Sequence, residues 1–357
     1  MRQEQMKTLL EERGLDAGLV ARPANIRYLS GFVGTESYLY VSRTRGVILT
    51  DSRYTLQAQE EGKGCEVRTI GKGRGYGALL AELIREDQVR ELGFEEDALL
   101  YGTVCGLQKE SGLAPEHWKA LEDSVSAFRA VKSEDELQKM ERAEQIGDEA
   151  FSYILNELRP GLTELQVAAK LEYFMKSRGA EGTSFDTIVA SGLHSAMPHA
   201  VPGGRQLEKG DFVTMDFGCK YQGYCSDMTR TVVIGKASGR QKEIYQIVLE
   251  AQQAALEGLR PGMTGAEGDH LSRSVIEKAG YGEYFGHGLG HSVGLEIHEN
   301  PRLSTAEKTV LVPGMIETVE PGIYIPEFGG VRIEDMIVLT ENGIRNLTAS
   351  PKELIEL

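Results

Sequence analysis

Leu158-Arg-Pro-Gly-Leu-Thr163 and, further along the chain, Leu259-Arg-Pro-Gly-Met-Thr264 are two copies of one motif. In each copy Pro-Gly breaks the helical pattern that precedes it. The Thr then caps the helical pattern that follows, with Gln166 or Glu267 three residues on to complete a capping box. The match continues downstream. Leu207-Glu-Lys-Gly-Asp-Phe-Val-Thr-Met-Asp216-Phe-Gly218 runs in register with Leu311-Val-Pro-Gly-Met-Ile-Glu-Thr-Val-Glu320-Pro-Gly322, sharing Leu, Gly, Thr, an acid and Gly. One short match arises easily by chance, but two in the same order do not. Residues 131–357 therefore read as two copies of a helix–helix–strand–hairpin unit related by a pseudo-two-fold axis. The seam between such halves is a natural place for a ligand.

The hairpins carry acids where β-type residues surround them. Thr214 to Val233 reads as two strands around Lys220–Gly223, with Asp216 and Asp227 on opposite arms. A suitable register turns both carboxylates to one side of the sheet. Burying two unpaired carboxylates costs several kcal/mol or leaves one protonated, and a cation removes that conflict. A lone Asp is usually an exposed turn residue, but the apolar neighbours and the repeat partner Glu320 weigh against that here. The second hairpin places Glu320 on one Val- and Ile-rich arm and Glu334 on the other. Asp335 competes with Glu334. Alternation from Val331 and Ile333 puts Arg332 and Glu334 on one face, which favours Glu334 and sets Arg332 beside it as an anion contact.

A third stretch, Phe285-Gly-His287-Gly-Leu-Gly-His291-Ser-Val-Gly-Leu-Glu-Ile-His298-Glu, holds three of the seven histidines. Its likeness to the zinc motif His-Glu-x-x-His is superficial, because glycines surround the histidines and no Glu follows His287. The stretch also lacks the Lys-Ser/Thr of a phosphate-binding loop. One of these histidines reads as a metal ligand and the others as supporting or catalytic groups. Four carboxylates and one imidazole form a hard, oxygen-rich set suited to two divalent ions. Oxygen richness tilts the choice to manganese, with cobalt, iron or zinc as alternatives. Two ions a few Å apart activate a water and polarise a carbonyl, the logic of metal-assisted amide hydrolysis.

The remainder sets bounds. With 54 acids against 39 bases the net charge is −15, a surface that repels phosphate backbones, so no nucleic-acid partner is expected. The N-terminus is charged without an apolar core, and no apolar run is long enough to span a bilayer, so no membrane association and a cytoplasmic location are expected. The four cysteines suit a reducing compartment. Cys219 and Cys225, six residues apart, match no zinc spacing. Residues 1–130 read as an α/β unit: a helix over Gln3–Arg13 stopped at Gly14, strands at Ala17–Val20, Tyr38–Val41, Gly46–Leu49 and Val89–Phe94, and helices at Tyr54–Glu60 and Ala78–Glu86. The unit holds one histidine, His117, and no catalytic cluster. A long helix from Glu134 to Leu158, with Ser133 and Glu136 as its capping box, opens the second domain.

At these residues the chain resembles the prolidase and aminopeptidase P branch of the pita-bread-fold metallopeptidases. The resemblance is carried by Asp216-Phe-Gly with Tyr-x-Gly-Tyr-x-Ser-Asp227-Met-Thr-Arg-Thr, His287-Gly-Leu-Gly-His291-x-x-Gly-Leu-x-Ile-His298-Glu, Glu320-Pro-Gly-Ile-Tyr and Gly330-Val-Arg332-Ile-Glu334-Asp. It reaches the first half through Asn25-Ile-Arg-Tyr-Leu-Ser-Gly-Phe32 and Asp51-Ser-Arg-Tyr54. It implies an α/β (α+β) chain: a creatinase-like N-terminal α/β domain over 1–130 and a pseudo-two-fold pita-bread catalytic domain over 131–357. It also implies Asp216 on one metal ion, His291 and Glu320 on the other, and Asp227 and Glu334 bridging both.

On the same resemblance Glu320 doubles as general base, while His199 and His298 are catalytic. His287, Arg302 and Arg332 contact substrate, Arg302 at the free carboxylate of a dipeptide. The implied reaction is hydrolysis of the bond between an N-terminal residue and a following proline in a peptide substrate, by a water bridging the metals, in a homodimer. The competing readings are a non-catalytic peptide-binding module on this fold and a metal-independent, creatinase-like amidinohydrolase.

Overall fold

The computed structural model describes residues 2–357. The chain divides into two compact units, Met1–Arg129 and Ala130–Leu357.

The first unit runs α1 (Arg2–Glu12), β1 (Ala17–Val20), α2 (Pro23–Ser30), β2 (Ser37–Ser42), β3 (Gly46–Thr50), α3 (Thr55–Glu61), β4 (Cys65–Thr69), α4 (Tyr76–Glu86), β5 (Leu92–Phe94), α5 (Tyr101–Ser111), β6 (Trp118–Ala120) and α6 (Ser124–Ala127). Its six strands form one mixed sheet in the order β4-β3-β2-β1-β5-β6. Leu79, Leu80 and Leu83 of α4 pack on Leu19, Tyr40, Leu49 and Leu92 of the sheet. On the other face α1 lies so close that a Cβ at Gly18 would collide with Met6.

The expected elements are present with shifted ends, and α2, β4, α5, β6 and α6 are additional to them. The reason is composition. The side chains of β4 are only partly buried, and α5 buries just Leu107 and Ser111, so neither carries an apolar signature. The strand expected over Val89–Phe94 begins only at Leu92, because the Arg90 and Glu91 amides are held by the Asp16 carboxylate. His117 pairs with Glu91 at 2.9 Å.

The second unit runs α7 (Glu134–Leu155), α8 (Glu164–Ser177), β7 (Gly182–Thr183), β8 (Ile188–Ser191), β9 (Phe212–Phe217), β10 (Cys219–Tyr221), β11 (Tyr224–Cys225) and β12 (Met228–Val233). It then repeats as α9 (Gly239–Gly258), α10 (Gly265–Lys278), β13 (Gly290–Ser292), β14 (Glu299–Leu303), β15 (Ile316–Val319), β16 (Gly322–Ile325), β17 (Gly329–Arg332) and β18 (Asp335–Thr340), and closes on β19 (Gly343–Asn346). Capping boxes sit at Ser133, Thr163, Ser238 and Thr264.

The internal repeat is written into the hydrogen bonds. Gly161 N donates to Leu207 O and Leu207 N to Leu162 O. Gly262 N donates to Leu311 O and Leu311 N to Met263 O, and the four bonds span only 2.8–2.9 Å. Helices cover one face of each strand set. Phe151, Ile154, Val167 and Leu171 pack on Val213, Met215, Phe217 and Val232, while Ala255 and Leu259 pack on Val319 and Ile337.

Each hairpin is two consecutive ladders rather than one. The first breaks between the β9–β12 and β10–β11 pairs. There Gly218 approaches so closely that a Cβ would lie 1.9 Å from Ser226 O. The second breaks between the β15–β18 and β16–β17 pairs. Among the described residues no helix is long and apolar enough to cross a membrane.

Candidate metal centre

The breaks in the ladders are where the acids sit. Along β9 the side chains alternate: Val213, Met215 and Phe217 enter the helix-covered core, so Thr214 and Asp216 take the other face. Asp216 pairs across to Thr229 of β12 and to Ile188 of β8. Asp227 immediately precedes β12, and Glu334 immediately precedes β18. These two are therefore a second pair of repeat equivalents beside Asp216 and Glu320. The sequence shows the first pair directly but hides the second, because the connection between ligands is longer in the second hairpin.

The offset that carries Leu158 onto Leu259 also relates Ala190 to His291. Glu320 N donates to Leu289 O at 2.9 Å, the counterpart of the Asp216–Ile188 pairing. The imidazole is thus an addition to one half only.

Ligand atoms of Asp227, His291 and Glu334 lie within 4.8 Å of one another. His291 Nε2 is 3.6 Å from Asp227 Oδ2 and 3.5 Å from Glu320 Oε1. Its Nδ1 lies 3.1 Å from Ser292 O, a contact that places the proton on Nδ1 and leaves the Nε2 lone pair facing the carboxylates. Burial, followed by the neighbouring His298, drives the His291 pKa down to about 3, so the ring is neutral, as a metal ligand must be. The carboxylates move the opposite way. Asp227 and Glu334 are pushed well above the carboxylate range, first by burial and then by negative charge, that of Glu334 and Asp216 on Asp227 and that of Glu320 and Asp216 on Glu334. Burial raises Glu320 to about 7.

Among the described residues one cation, Arg332, touches this group, with Nη2 2.6 Å from Asp216 Oδ2. Its other donors reach Thr229 Oγ1 (3.0 Å), the Tyr324 hydroxyl (2.8 Å) and Pro198 O (3.4 Å). Asp216 Oδ1 is buried with no donor among the described residues. An unpartnered carboxylate oxygen, carboxylates that repel one another and a neutral imidazole form a donor set that fits divalent cations.

The competing candidate Asp335 points elsewhere. It binds Arg230 (2.8 Å), Lys352 (2.6 Å) and Asn346 (2.6 Å), and these partners hold its pKa low against burial.

These acids and His291 form one wall of a cavity of about 580 Å³. Lining it too are His199, His287, His298, Arg302 and Arg332, so every residue given a metal, catalytic or substrate role on the sequence reaches the same space, and Asp335 does not. Phe185, Ile188, Val201 and Pro202 give it apolar surface. The His298 ring meets that of His291 edge-on, with centroids 4.5 Å apart. His287 Nε2 bonds the Tyr324 hydroxyl at 2.9 Å, and burial lowers its pKa to about 4. The loop that brings His199 to the rim is anchored by Glu164, the first residue of α8. Its carboxylate accepts from Ser191 N (2.8 Å) and Gly203 N (3.2 Å) and meets His194 Nδ1 at 2.9 Å.

Sequence reasoning did not assign roles to the groups that orient the acids. The Thr229 hydroxyl donates to Glu334 Oε2 at 2.6 Å. The Thr318 hydroxyl donates to Glu320 Oε1 at 3.1 Å while accepting from His291 N at 3.1 Å. Strand alternation could have found both threonines, since Thr229 lies two residues from Asp227 and Thr318 two from Glu320. Tyr324 carried no such signal.

A two-unit chain with a pseudo-symmetric acid-rich cavity is what metallopeptidases of the pita-bread type present, and comparison with known proteins agrees. Residues 138–341 match metallopeptidase family M24, and residues 2–131 match the creatinase/prolidase N-terminal domain. The chain belongs to this family. It is 42% identical to the Xaa-Pro dipeptidase of Pyrococcus horikoshii, over 99% of each chain. Among solved structures it resembles the Xaa-Pro dipeptidase from Bacillus anthracis, with a TM-score of 0.94, 44% identity, and coverage of 100% of this chain and 99% of that one. It also resembles the X-Pro aminopeptidase from Thermotoga maritima, with a TM-score of 0.92, 38% identity and 99% of each chain covered.

Proposed function

We propose that this protein is an Xaa-Pro peptidase that removes an N-terminal residue from a following proline. The observation that carries this reading is the convergence of four under-compensated carboxylates and a neutral imidazole on one wall of the cavity. In this reading Asp216, Asp227, His291, Glu320 and Glu334 hold two divalent ions, Asp227 and Glu334 being shared between them. Manganese suits the oxygen-rich set, with cobalt, iron or zinc able to replace it. When bound, the ions supply a nucleophilic water at neutral pH and polarise the scissile carbonyl.

The remaining roles belong to the chain. Glu320 Oε1 accepts the proton of the attacking water, and His199 and His298 hydrogen-bond the carbonyl oxygen as charge builds on it. His287 and Arg332, joined through the Tyr324 hydroxyl, fix the wall against which the substrate lies. A proline after the scissile bond brings no N–H to that bond, which suits the apolar surface of Val201 and Pro202. Arg302, exposed on β14, anchors the free carboxylate of a dipeptide. Dipeptidase action is thus favoured over aminopeptidase action on longer peptides.

The proposal extends to a cytoplasmic homodimer in which the N-terminal domain of one subunit borders the partner subunit's site. Light scattering at working concentration checks the dimer, and a monomer would remove that part.

The decisive test is a panel of Xaa-Pro dipeptides and longer Xaa-Pro peptides, assayed with Mn²⁺ or Co²⁺ added back to chelated protein. Metal-dependent release of the first residue, fastest on dipeptides, is the expected outcome. No cleavage across the panel would leave a peptide-binding module, and cleavage surviving thorough chelation would favour a creatinase-like reaction.

A further inference from the structure

The two histidines that matter most, His291 and His298, lie at the two ends of one loop. Each is followed by a side chain that turns away from the cavity, and both of those side chains meet the same ammonium. Lys132 Nζ lies 3.1 Å from Ser292 Oγ and 3.3 Å from Glu299 Oε2, and it also donates to Ala130 O at 3.4 Å. The Lys132 and Glu299 side chains are 1% and 3% exposed, so this is an ion pair in the interior, where charge is tolerated only when paired and well placed. Lys132 is itself fixed by its backbone, since Lys132 N donates to Gly314 O at 2.9 Å and Val131 forms a bridge with Met315.

The contacts at each end are specific. Ser292 is the residue whose carbonyl accepts the His291 Nδ1 proton, so a hold on Ser292 is a hold on the tautomer and tilt of the ring. Glu299 Oε1 accepts from Glu296 N at 3.2 Å, and Gly294 N donates to Glu296 O at 3.0 Å, which folds the loop back on itself. Gly294 O in turn accepts from Cys225 N at 2.8 Å, two residues before Asp227. A second buried carboxylate, Glu317, precedes the Thr318 that orients both His291 and Glu320. Its two oxygens have no partner among the described residues, and the Lys132 charge offsets part of the cost of its burial.

We infer that Lys132 is a positioning residue: through Ser292 and Glu299 it sets His291 and His298 for metal binding and substrate contact, without touching either ion or substrate. The inference rests on the metal-dependent reading above, and its test must not depend on turnover alone.

The experiment titrates chelated protein with Co²⁺, following the visible absorption of the bound ion and the calorimetric stoichiometry. It compares wild type with Lys132→Met, Lys132→Arg and the double variant Lys132→Met/Glu299→Gln, which leaves neither member of the Lys132–Glu299 pair charged without the other if the single variant fails to fold. The expected result for the double variant is folded protein whose weaker Co²⁺ step loses about 10–100-fold in affinity, with an altered spectrum, the size usual for a lost outer partner of a metal-ligating histidine. Lys132→Arg should recover most of that affinity. On an Xaa-Pro dipeptide, kcat should fall while KM changes little.

Wild-type affinity and spectrum in the folded double variant would overturn the inference, whatever its melting temperature. If wild type binds two Co²⁺ but cleaves no Xaa-Pro peptide, the functional proposal fails, and the cobalt titration still decides the role of Lys132.

Discussion

The two halves of the second unit share a backbone plan yet contribute differently to the cavity. The first half brings two aspartates, Asp216 and Asp227. The second brings two glutamates, Glu320 and Glu334, at equivalent places, and adds His291 where the first half has only Ala190. A perfectly symmetric seam would hold two equivalent ions. One added imidazole, with Lys132 and Glu299 behind it on the same side, breaks that symmetry. The repeat accounts for the paired carboxylates, whereas the imidazole that breaks their symmetry belongs to one copy alone.

The comparison can be broken most severely at Asp227 and Glu334, the pair proposed to serve both ions. Asp227→Ala and Glu334→Ala should each reduce Xaa-Pro turnover by at least about 10³-fold, several kcal/mol at the transition state. Both should lose both ions by metal analysis. Retention of one tight ion in either variant would mean that the pair is not shared.

His291→Ala turns the second half into an image of the first. It should spare one ion and weaken the other by at least about 10²-fold, more than the loss of an outer partner costs. Equal weakening of both ions in a Co²⁺ titration would contradict the assignment of His291 to a single position.

A subtler contrast lies on the covering helices. The repeat offset carries Glu144 of α7 onto Tyr245 of α9, and both hold the C-terminal tail. Thr348 Oγ1 donates to Glu144 at 2.6 Å, and the Tyr245 hydroxyl donates to Lys352 O at 2.8 Å. Burial lifts Glu144 from its ordinary 4.5 to about 8. The folded state therefore keeps a proton that the unfolded state releases, and stability falls as pH rises from about 4.5 towards 8. Glu144→Gln cannot ionise. Relative to wild type it should gain about 1–3 kcal/mol by pH 8 and little near pH 5, read from urea midpoints. Burial raises the Tyr245 pKa further above its ordinary 10, so Tyr245→Phe should change stability by the same amount at both pH values. A pH-independent Glu144→Gln difference would show that the carboxyl is not held neutral.

The smallest effect concerns the caps. Thr163→Ala and Thr264→Ala each remove a side-chain acceptor from the third helical amide, at 3.1 and 3.2 Å. Each should cost about 1 kcal/mol in the same denaturation experiment, and a clear inequality would show that the two caps are not energetically equivalent.

How much of this was legible in the sequence depended on the range of the interaction involved. The repeat, the capping boxes and the first acid pair, Asp216 and Glu320, are local patterns, and hydrogen bonds closing over three or four residues leave their mark in a short stretch of chain. Strand alternation from Val331 and Ile333 likewise put Arg332 and Glu334 on the face that lines the cavity. Weakly apolar elements such as β4 and α5 left no comparable mark.

Alternation already favoured Glu334 over its neighbour Asp335, but only the tertiary structure showed what holds each of them. Arg230 and Lys352 meet Asp335, and Thr229 meets Glu334. The tertiary structure alone revealed Asp227 and Glu334 as equivalents, and Lys132 beneath the histidine loop. The physical reason is the same in each case. A buried charge is stabilised by whatever partner the fold brings within reach, and in a low-dielectric interior that partner decides its orientation and protonation. Sequence spacing does not record it.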